Sequence, residues 1–280
     1  AVAMVVKRMR IERLGIEGMS ATVSFQRALA EALPKVELIV TEHLVEQLRM
    51  VKDKTEIEAT RQACQQARRA FEAVRAMLTT EMTEREVAAE LEYQARRIGA
   101  KGLSFPPIVA VGARAALPHA RPTERKLSDS DFTLVDWGAN SGLYLSDLTR
   151  IWVTGRISPK LRKIYAIVLK AQLAAIEAIR PGRTGEEVDS VARGVIARAG
   201  FGKEFGHGLG HGLGLEIHEA PRLAKSQNMK LRAGMIVTVE PGVYIPRWGG
   251  VRIEDDVLVT RSGYEVLSDV PKQFEDCIVG

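Results

Sequence analysis

The sequence has little cysteine: only Cys64 and Cys277 in 280 residues. Two thiols cannot form a disulfide framework or a cysteine-ligated zinc site. They fit a reducing compartment, so a cytoplasmic protein is expected. Aromatic residues are scarce at 5%. No run approaches 18 consecutive apolar residues, so no transmembrane helix is expected. The opening Ala1–Val6 run is apolar, but Lys7, Arg8 and Arg10 follow it, whereas a secretory signal has its charges first. The missing initiator Met points to a trimmed or partial chain. Charge of one sign is not in marked excess either. Forty Lys+Arg against 35 Asp+Glu give +5 without a basic tail, so neither a nucleic-acid nor a membrane partner is expected. What remains is a composition of 46% hydrophobic and 27% charged residues, ordinary for a globular chain with a sizeable core. The 24 glycines cluster notably between Gly200 and Gly214, which composition alone does not explain.

Residues 11–40 read as strand, helix, strand. The helix is expected to start near Ser20 or Ser24, to close at Pro34, and to be followed by a strand at Val36–Val40. This piece is too small for a domain and looks like the end of one. From Thr55, apolar residues recur at three- and four-residue spacing through Ala63, Cys64, Ala67, Ala70, Phe71, Val74, Met77 and Leu78, which predicts a long helix with Cys64 as a buried thiol. Thr83-Glu-Arg-Glu86 fits a capping box with a shorter helix behind it, ended by Gly99 and Gly102. The same order returns later. Ser158-Pro159 opens a long helix, Pro181-Gly182 ends it, and Thr184-Gly-Glu-Glu187 caps a second. The two capping threonines lie 101 residues apart. An α+β unit of about 100 residues used twice is the expected organisation.

Each half then carries acids where strands should not. Asp131–Gly138 reads as a strand with Asp136 near its end. Asn140-Ser-Gly142 supplies a turn, and Leu143–Val153 returns with Leu143, Leu145, Asp147, Thr149 and Ile151 on one face. In the second half, Met235–Glu240 is a strand ending in Glu240. Gly249-Gly250 is read as a turn and Val251–Glu254 as the return, with Arg252 and Glu254 on one face. An unpaired buried carboxylate is very costly, and Arg150 and Arg252 are candidate partners. Four carboxylates converging across a pseudo-twofold axis could not all stay ionised without cations, and a pair of divalent metals resolves the repulsion most simply.

There are only five histidines. His43, in an expected helix from Thr41, reads as a surface residue. Three others, His207, His211 and His218, lie in Gly206-His-Gly-Leu-Gly-His-Gly-Leu-Gly-Leu-Glu-Ile-His-Glu219. Alternating glycines argue against a zinc-binding HExxH helix, and no GxGxxG dinucleotide loop is present. Glycine here is expected to let the backbone approach a ligand closely while imidazoles project from it.

With these residues in view, the chain resembles the metal-dependent peptidases of the pita-bread fold, namely prolidase, aminopeptidase P and methionine aminopeptidase, with creatinase as a relative. The His207–Glu219 segment, Asp136-Trp-Gly, Asp147-Leu-Thr-Arg150, Glu240-Pro-Gly242 and Arg252-Ile-Glu254 resemble the proline-peptidase branch in type and order. The resemblance implies an α+β pita-bread domain over residues 50–280 with internal pseudo-twofold duplication. Residues 1–45 would be a remnant of a creatinase-like amino-terminal domain. It implies two divalent ions, Mn foremost and Co, Zn or Fe as alternatives, held by Asp136, Asp147, His211, Glu240 and Glu254, with Asp147 and Glu254 bridging. A hydroxide between the ions would attack the peptide carbonyl. Glu240 would pass its proton to the departing nitrogen, and His218 would stabilise the oxyanion. His119 would contact the substrate backbone, His207 would line the proline subsite, and Arg252 would orient carboxylates or substrate. Arg222, four residues after His218, would hold the free carboxylate of an Xaa-Pro dipeptide. The substrates implied are Xaa-Pro dipeptides or peptides with Xaa-Pro amino termini, and a homodimer is left open. A non-catalytic peptide-binding module is the alternative. The full set of five ligand-type residues counts against it and against a creatinase-type reaction, and the His207–His218 segment and Arg252 count against methionine aminopeptidase.

Overall fold

The computed structural model describes residues 1–279. The chain divides into two units, Ala1–Arg49 and Met50–Gly280. In the first, the apolar opening run forms α1 (Val2–Arg8). Then β1 (Arg13–Glu17), α2 (Val23–Ala32) and β2 (Glu37–Thr41) follow, the strands pairing in parallel. The cap of α2 is Thr22, not Ser20 or Ser24: its hydroxyl accepts from the Phe25 amide at 3.1 Å. Val6, Ile16, Leu29 and Leu33 form the small core. Thr41 ends β2 and does not start a helix. His43 is exposed in a left-handed conformation (φ 57°) ahead of α3 (Leu44–Arg49).

The second unit opens with α4 (Lys54–Met77), fastened by a capping box in which Asp53 and Glu56 exchange hydrogen bonds at 2.9 and 2.7 Å. Its buried stripe includes Ala63, Cys64, Ala67, Ala70, Phe71 and Val74. Thr83 caps α5 (Glu84–Arg97), and Gly99 at φ 99° ends it. Gly102 instead begins β3 (Gly102–Leu103). Then come β4 (Ile108–Val111), β5 (Phe132–Trp137), β6 (Ala139–Ser141), β7 (Tyr144–Leu145) and β8 (Leu148–Val153). The strands β4, β5 and β8 form an antiparallel sheet, and β3, β6 and β7 a second one.

The second half repeats the order. Ser158 caps α6 (Pro159–Ala178), and Thr184 caps α7 (Gly185–Arg198). A five-stranded sheet follows in the spatial order β10 (Glu219–Leu223), β9 (Gly210–Gly212), β11 (Ile236–Val239), β14 (Asp255–Val259) and β15 (Tyr264–Val266), with β12 (Gly242–Ile245) and β13 (Gly249–Arg252) as a separate pair. Equivalent helices are anchored equivalently: Thr83 bridges Lys126, and Thr184 bridges Lys230.

Period-two alternation divides the first sheet between two cores. Val109, Val111, Val135, Trp137, Leu148 and Trp152 pack with α4 and α5. Ile108, Ala110, Leu134, Ile151 and Val153 join the core that also holds α6, α7, β11 and β14. The sheet is therefore buried on both faces, which is why its strands read as nearly continuous apolar runs. Asp136, two residues after Leu134, shares the face turned toward the second half.

Two sequence expectations fail here. Leu143–Val153 is not one strand. It breaks at Ser146–Asp147, and Leu143 is exposed, so the apolar alternation does not run through Asp147. Gly249 and Gly250 are not a turn but part of β13. The turn is Pro246-Arg247-Trp248, with Arg247 at φ 66°.

Phe71 of α4 lies against Trp137 and Trp152, ring centroids 4.2 and 5.0 Å apart. Phe71→Ala should lower the free energy of unfolding by about 3–5 kcal/mol, measured by guanidinium denaturation.

Candidate metal centre

Two breaks in the strand ladders set the site. Asp147 immediately precedes β8, and Glu254 immediately precedes β14. Both are therefore aimed by side chains and by the opposite half rather than by a regular ladder. Asp136 sits on β5 opposite Thr149, and Glu240 directly follows β11. His211 is the centre of β9, whose flanking glycines explain the glycine cluster differently from the expectation. A Cβ on Gly210 would meet the Thr238 carbonyl oxygen at 2.0 Å, and one on Gly212 would meet that of Ala220 at 2.2 Å. The glycines let neighbouring backbone, not a ligand, come close.

These elements bring Asp147, His211 and Glu254 into one buried group whose ligand atoms lie within 4.8 Å of one another. His211 Nε2 is 3.6 Å from Asp147 Oδ2 and 3.3 Å from Glu240 Oε1. His211 Nδ1 is 3.0 Å from the Gly212 carbonyl oxygen, which can only accept. Nδ1 therefore carries the proton, and Nε2 offers its lone pair to the acids. Thr238 ties two members together, accepting from the His211 amide at 3.0 Å and donating to Glu240 at 3.2 Å. Thr149 donates to Glu254 at 2.5 Å.

Asp136 joins through Arg252, whose Nη2 donates to its Oδ2 at 2.5 Å. Its other oxygen, Oδ1, is buried and has no hydrogen-bond partner among the described residues. Arg252 Nε donates to Thr149 Oγ1 at 2.9 Å and Nη1 to the Tyr244 hydroxyl at 2.8 Å. A guanidinium only donates, so that hydroxyl passes its own proton to His207 Nε2 at 2.9 Å, and His207 Nδ1 donates to the Gly208 carbonyl at 2.7 Å. Both ring nitrogens of His207 are thus engaged. Tyr244, Thr149 and Thr238 were not singled out from the sequence. The misplaced turn hid Tyr244, and nothing marks a threonine on a strand as a carboxylate partner.

All ten sequence-predicted residues, His119, Asp136, Asp147, His207, His211, His218, Arg222, Glu240, Arg252 and Glu254, line one cavity of about 570 Å³. His218 stacks edge-on against His211, centroids 4.4 Å apart. His119, His218 and Arg222 are exposed to it, and Arg222 has no acidic partner among the described residues. Arg150 does not neutralise a site acid; it pairs with Asp255 at 2.8 Å.

The acids respond first to burial and, at Asp147, Glu240 and Glu254, also to one another. Burial raises the pKa of Asp147 well above the ordinary value, with Glu254 adding to it. Glu254 is raised likewise, by burial and then by Glu240. Burial raises Asp136 despite Arg252, and takes Glu240 up to about 7. Burial lowers His207 to about 4 and His211 to about 3. Strained carboxylates, an orphaned carboxylate oxygen and a neutral imidazole lone pair at one point are a donor set that fits a divalent cation of the Mn, Fe, Co or Zn kind.

Residues 58–261 match metallopeptidase family M24, and residues 2–51 match the creatinase/prolidase N-terminal domain. The chain belongs to metallopeptidase family M24. Among its relatives, the Xaa-Pro dipeptidase of Pyrococcus furiosus is 42% identical over 263 residues, 94% of this chain and 75% of the relative. Among solved structures, the Xaa-Pro dipeptidase from Bacillus anthracis superposes with a TM-score of 0.95 at 45% identity, covering 99% of this chain and 78% of that one. The X-Pro aminopeptidase from Thermotoga maritima gives 0.92 at 36% identity, covering 99% and 78%. The duplicated α+β unit is the pita-bread fold that the motifs implied, and the chain is a metal-dependent hydrolase. No helix among the described residues is long and apolar enough to cross a membrane.

The raised carboxylates fix a pH dependence. A folded-state pKa above the unfolded one means that the folded protein holds protons the unfolded chain has released, so stability falls as pH rises through that range. The lowered imidazoles act oppositely, but only below their ordinary value of about 6.5. With Glu240 at about 7 and Asp256 raised by burial to about 8, the melting temperature of chelator-treated protein should fall between about pH 6.5 and 8. Added Mn²⁺ should raise it most at the upper end, as read by calorimetry.

Proposed function

We propose that the chain is an Xaa-Pro dipeptidase working with two divalent ions, Mn foremost, which Asp136, Asp147, His211, Glu240 and Glu254 would hold. When bound, such ions polarise a carbonyl and acidify water. Nothing in the composition asks for a nucleic-acid or membrane partner, and two buried unpaired thiols fit a cytoplasmic setting.

The chain's own groups do the rest. Glu240 Oε1, 3.3 Å from His211 Nε2 at the edge of the cluster, is placed to take a proton and pass it to the departing proline nitrogen. His218, lowered by burial and by Arg222, is neutral and faces the cavity, so it can donate to the oxygen on which charge develops. His119 faces the same space from another loop and suits a contact to the substrate backbone. His207, locked by Tyr244 and the Gly208 carbonyl, makes one wall of the proline slot rather than a proton carrier. Arg252 has its three nitrogens committed to Asp136, Thr149 and Tyr244, which supports a part in orienting carboxylates rather than a substrate contact. An Xaa-Pro bond is a tertiary amide on a fixed ring, so its cleavage calls for a shaped slot and a strongly polarised carbonyl.

The observation that carries the dipeptide reading is the guanidinium of Arg222, exposed and without an acidic partner among the described residues, in the same cavity as the acid cluster. A planar fork there can take a terminal carboxylate in two hydrogen bonds. With added Mn²⁺ or Co²⁺, an Xaa-Pro dipeptide should be hydrolysed in preference to an Xaa-Pro-Xaa tripeptide. Arg222→Ala should raise KM for the dipeptide about 10- to 100-fold. Preference for the tripeptide would point instead to an aminopeptidase. Asp147→Asn and Glu254→Gln should each abolish turnover. Activity at the wild-type level in either would remove that residue from the ligand set, and absence of any bound divalent ion would leave a peptide-binding module.

A further inference from the structure

Asp256 is a second buried acid beside the metal centre, absent from the ligand set above. Its neighbour Asp255 is fully matched, with bonds from Arg150, Gln172, Ser268 and Lys272. Asp256 has no cationic partner among the described residues. Its side chain is inaccessible, and Oδ1 has no hydrogen-bond partner among the described residues. Oδ2 accepts from the main-chain amide of Asp147 at 2.9 Å and from the Cys64 thiol at 3.2 Å. Its own amide is held by Ser268 Oγ at 3.1 Å. A buried carboxylate with so few partners is costly as packing alone. Its one link to the site is the bond to Asp147, at the point where the strand ladder is broken and no neighbouring strand holds that amide.

Two further facts give the bond its place. Asp256 stands directly opposite Thr238 in the β11–β14 ladder. Thr238 in turn holds His211 and Glu240, so one rung of the second-half sheet touches three ligand residues, two through Thr238 and one through Asp256. The arrangement is also reciprocal. The first half holds Glu254 through its main chain: the Glu254 amide donates to the Thr149 carbonyl at 3.2 Å, and its carbonyl accepts from Arg150 Nη1 at 2.6 Å.

We infer that Asp256 is a positioning residue: by accepting the Asp147 amide across the seam between the halves, it sets the direction in which the Asp147 carboxylate meets His211 and Glu254. The inference rests on Asp147 being a metal ligand. It concerns the acceptor oxygen of Asp256 and not its charge, which separates it from a structural role.

Titration of metal-free protein with Mn²⁺ by calorimetry, beside melting curves, tests it. Asp256→Ala should weaken Mn²⁺ binding about 10- to 100-fold, while KM for an Xaa-Pro dipeptide at saturating Mn²⁺ stays close to wild type. Asp256→Asn, whose amide oxygen can still accept from Asp147, should recover most of the affinity. Asp256→Leu, which keeps the branched shape with bulkier methyl groups and is unable to accept, should match Asp256→Ala and replaces it should the alanine cavity prevent folding. Wild-type Mn²⁺ affinity in the Ala or Leu variant, with Asp147→Asn defective, would overturn the positioning role alone. An Asn variant as defective as Ala would overturn it too, by showing that charge is what matters. Wild-type affinity in Asp147→Asn would overturn the ligand assignment and this inference with it.

Discussion

Mutual repulsion among buried carboxylates governs this protein. Asp136, Asp147, Glu240 and Glu254 are brought together by two halves of the same chain, and each is pushed toward its protonated form by burial, with neighbouring acids adding to the effect at Asp147, Glu240 and Glu254. Such a cluster is tolerable only if protons or cations share the space. The surrounding elements can be understood as means of holding that arrangement: the sheet buried on both faces, the strand breaks that point two acids inward, and the guanidinium of Arg252 committed to Asp136. The reaction chemistry uses the same tension, since groups that resist full ionisation near neutrality are also those that can bind cations and move protons there.

The neutral partners matter as much as the charged ones. A chain of donors runs from Arg252 through the Tyr244 hydroxyl to His207 and ends on a main-chain carbonyl, fixing each group in one protonation state. His211 is fixed the same way from the opposite side. The cavity thus contains an imidazole presented as a ligand, one presented as a wall, and two, His119 and His218, left facing the space where substrate would lie. Identical side chains take different parts because their second nitrogens have different neighbours.

Much of this was legible in the residues. The capping boxes at Thr83 and Thr184 marked the repeated helix starts because a cap is a local device, written within four residues. The acids at Asp136, Asp147, Glu240 and Glu254 stood out because carboxylates rarely sit in apolar strand patterns. What escaped depended on partners distant in sequence. The breaks before Asp147 and Glu254 follow from a seam between halves that no local pattern encodes. Pro246 marks the true turn before β13, but the Gly249-Gly250 pair is the louder signal and drew the reading there, concealing Tyr244. The glycines around His211 were rightly seen as a demand for close approach, but the approaching group is another strand. Asp256 was not singled out from the sequence, and only the fold separates it from Asp255.

The matching positions of the two halves carry one more consequence. Each half contributes two of the four carboxylates, and two of them, Asp147 and Glu254, have their main chains held by the other half. A single unit of about 100 residues would own half a cage and no means of aiming it.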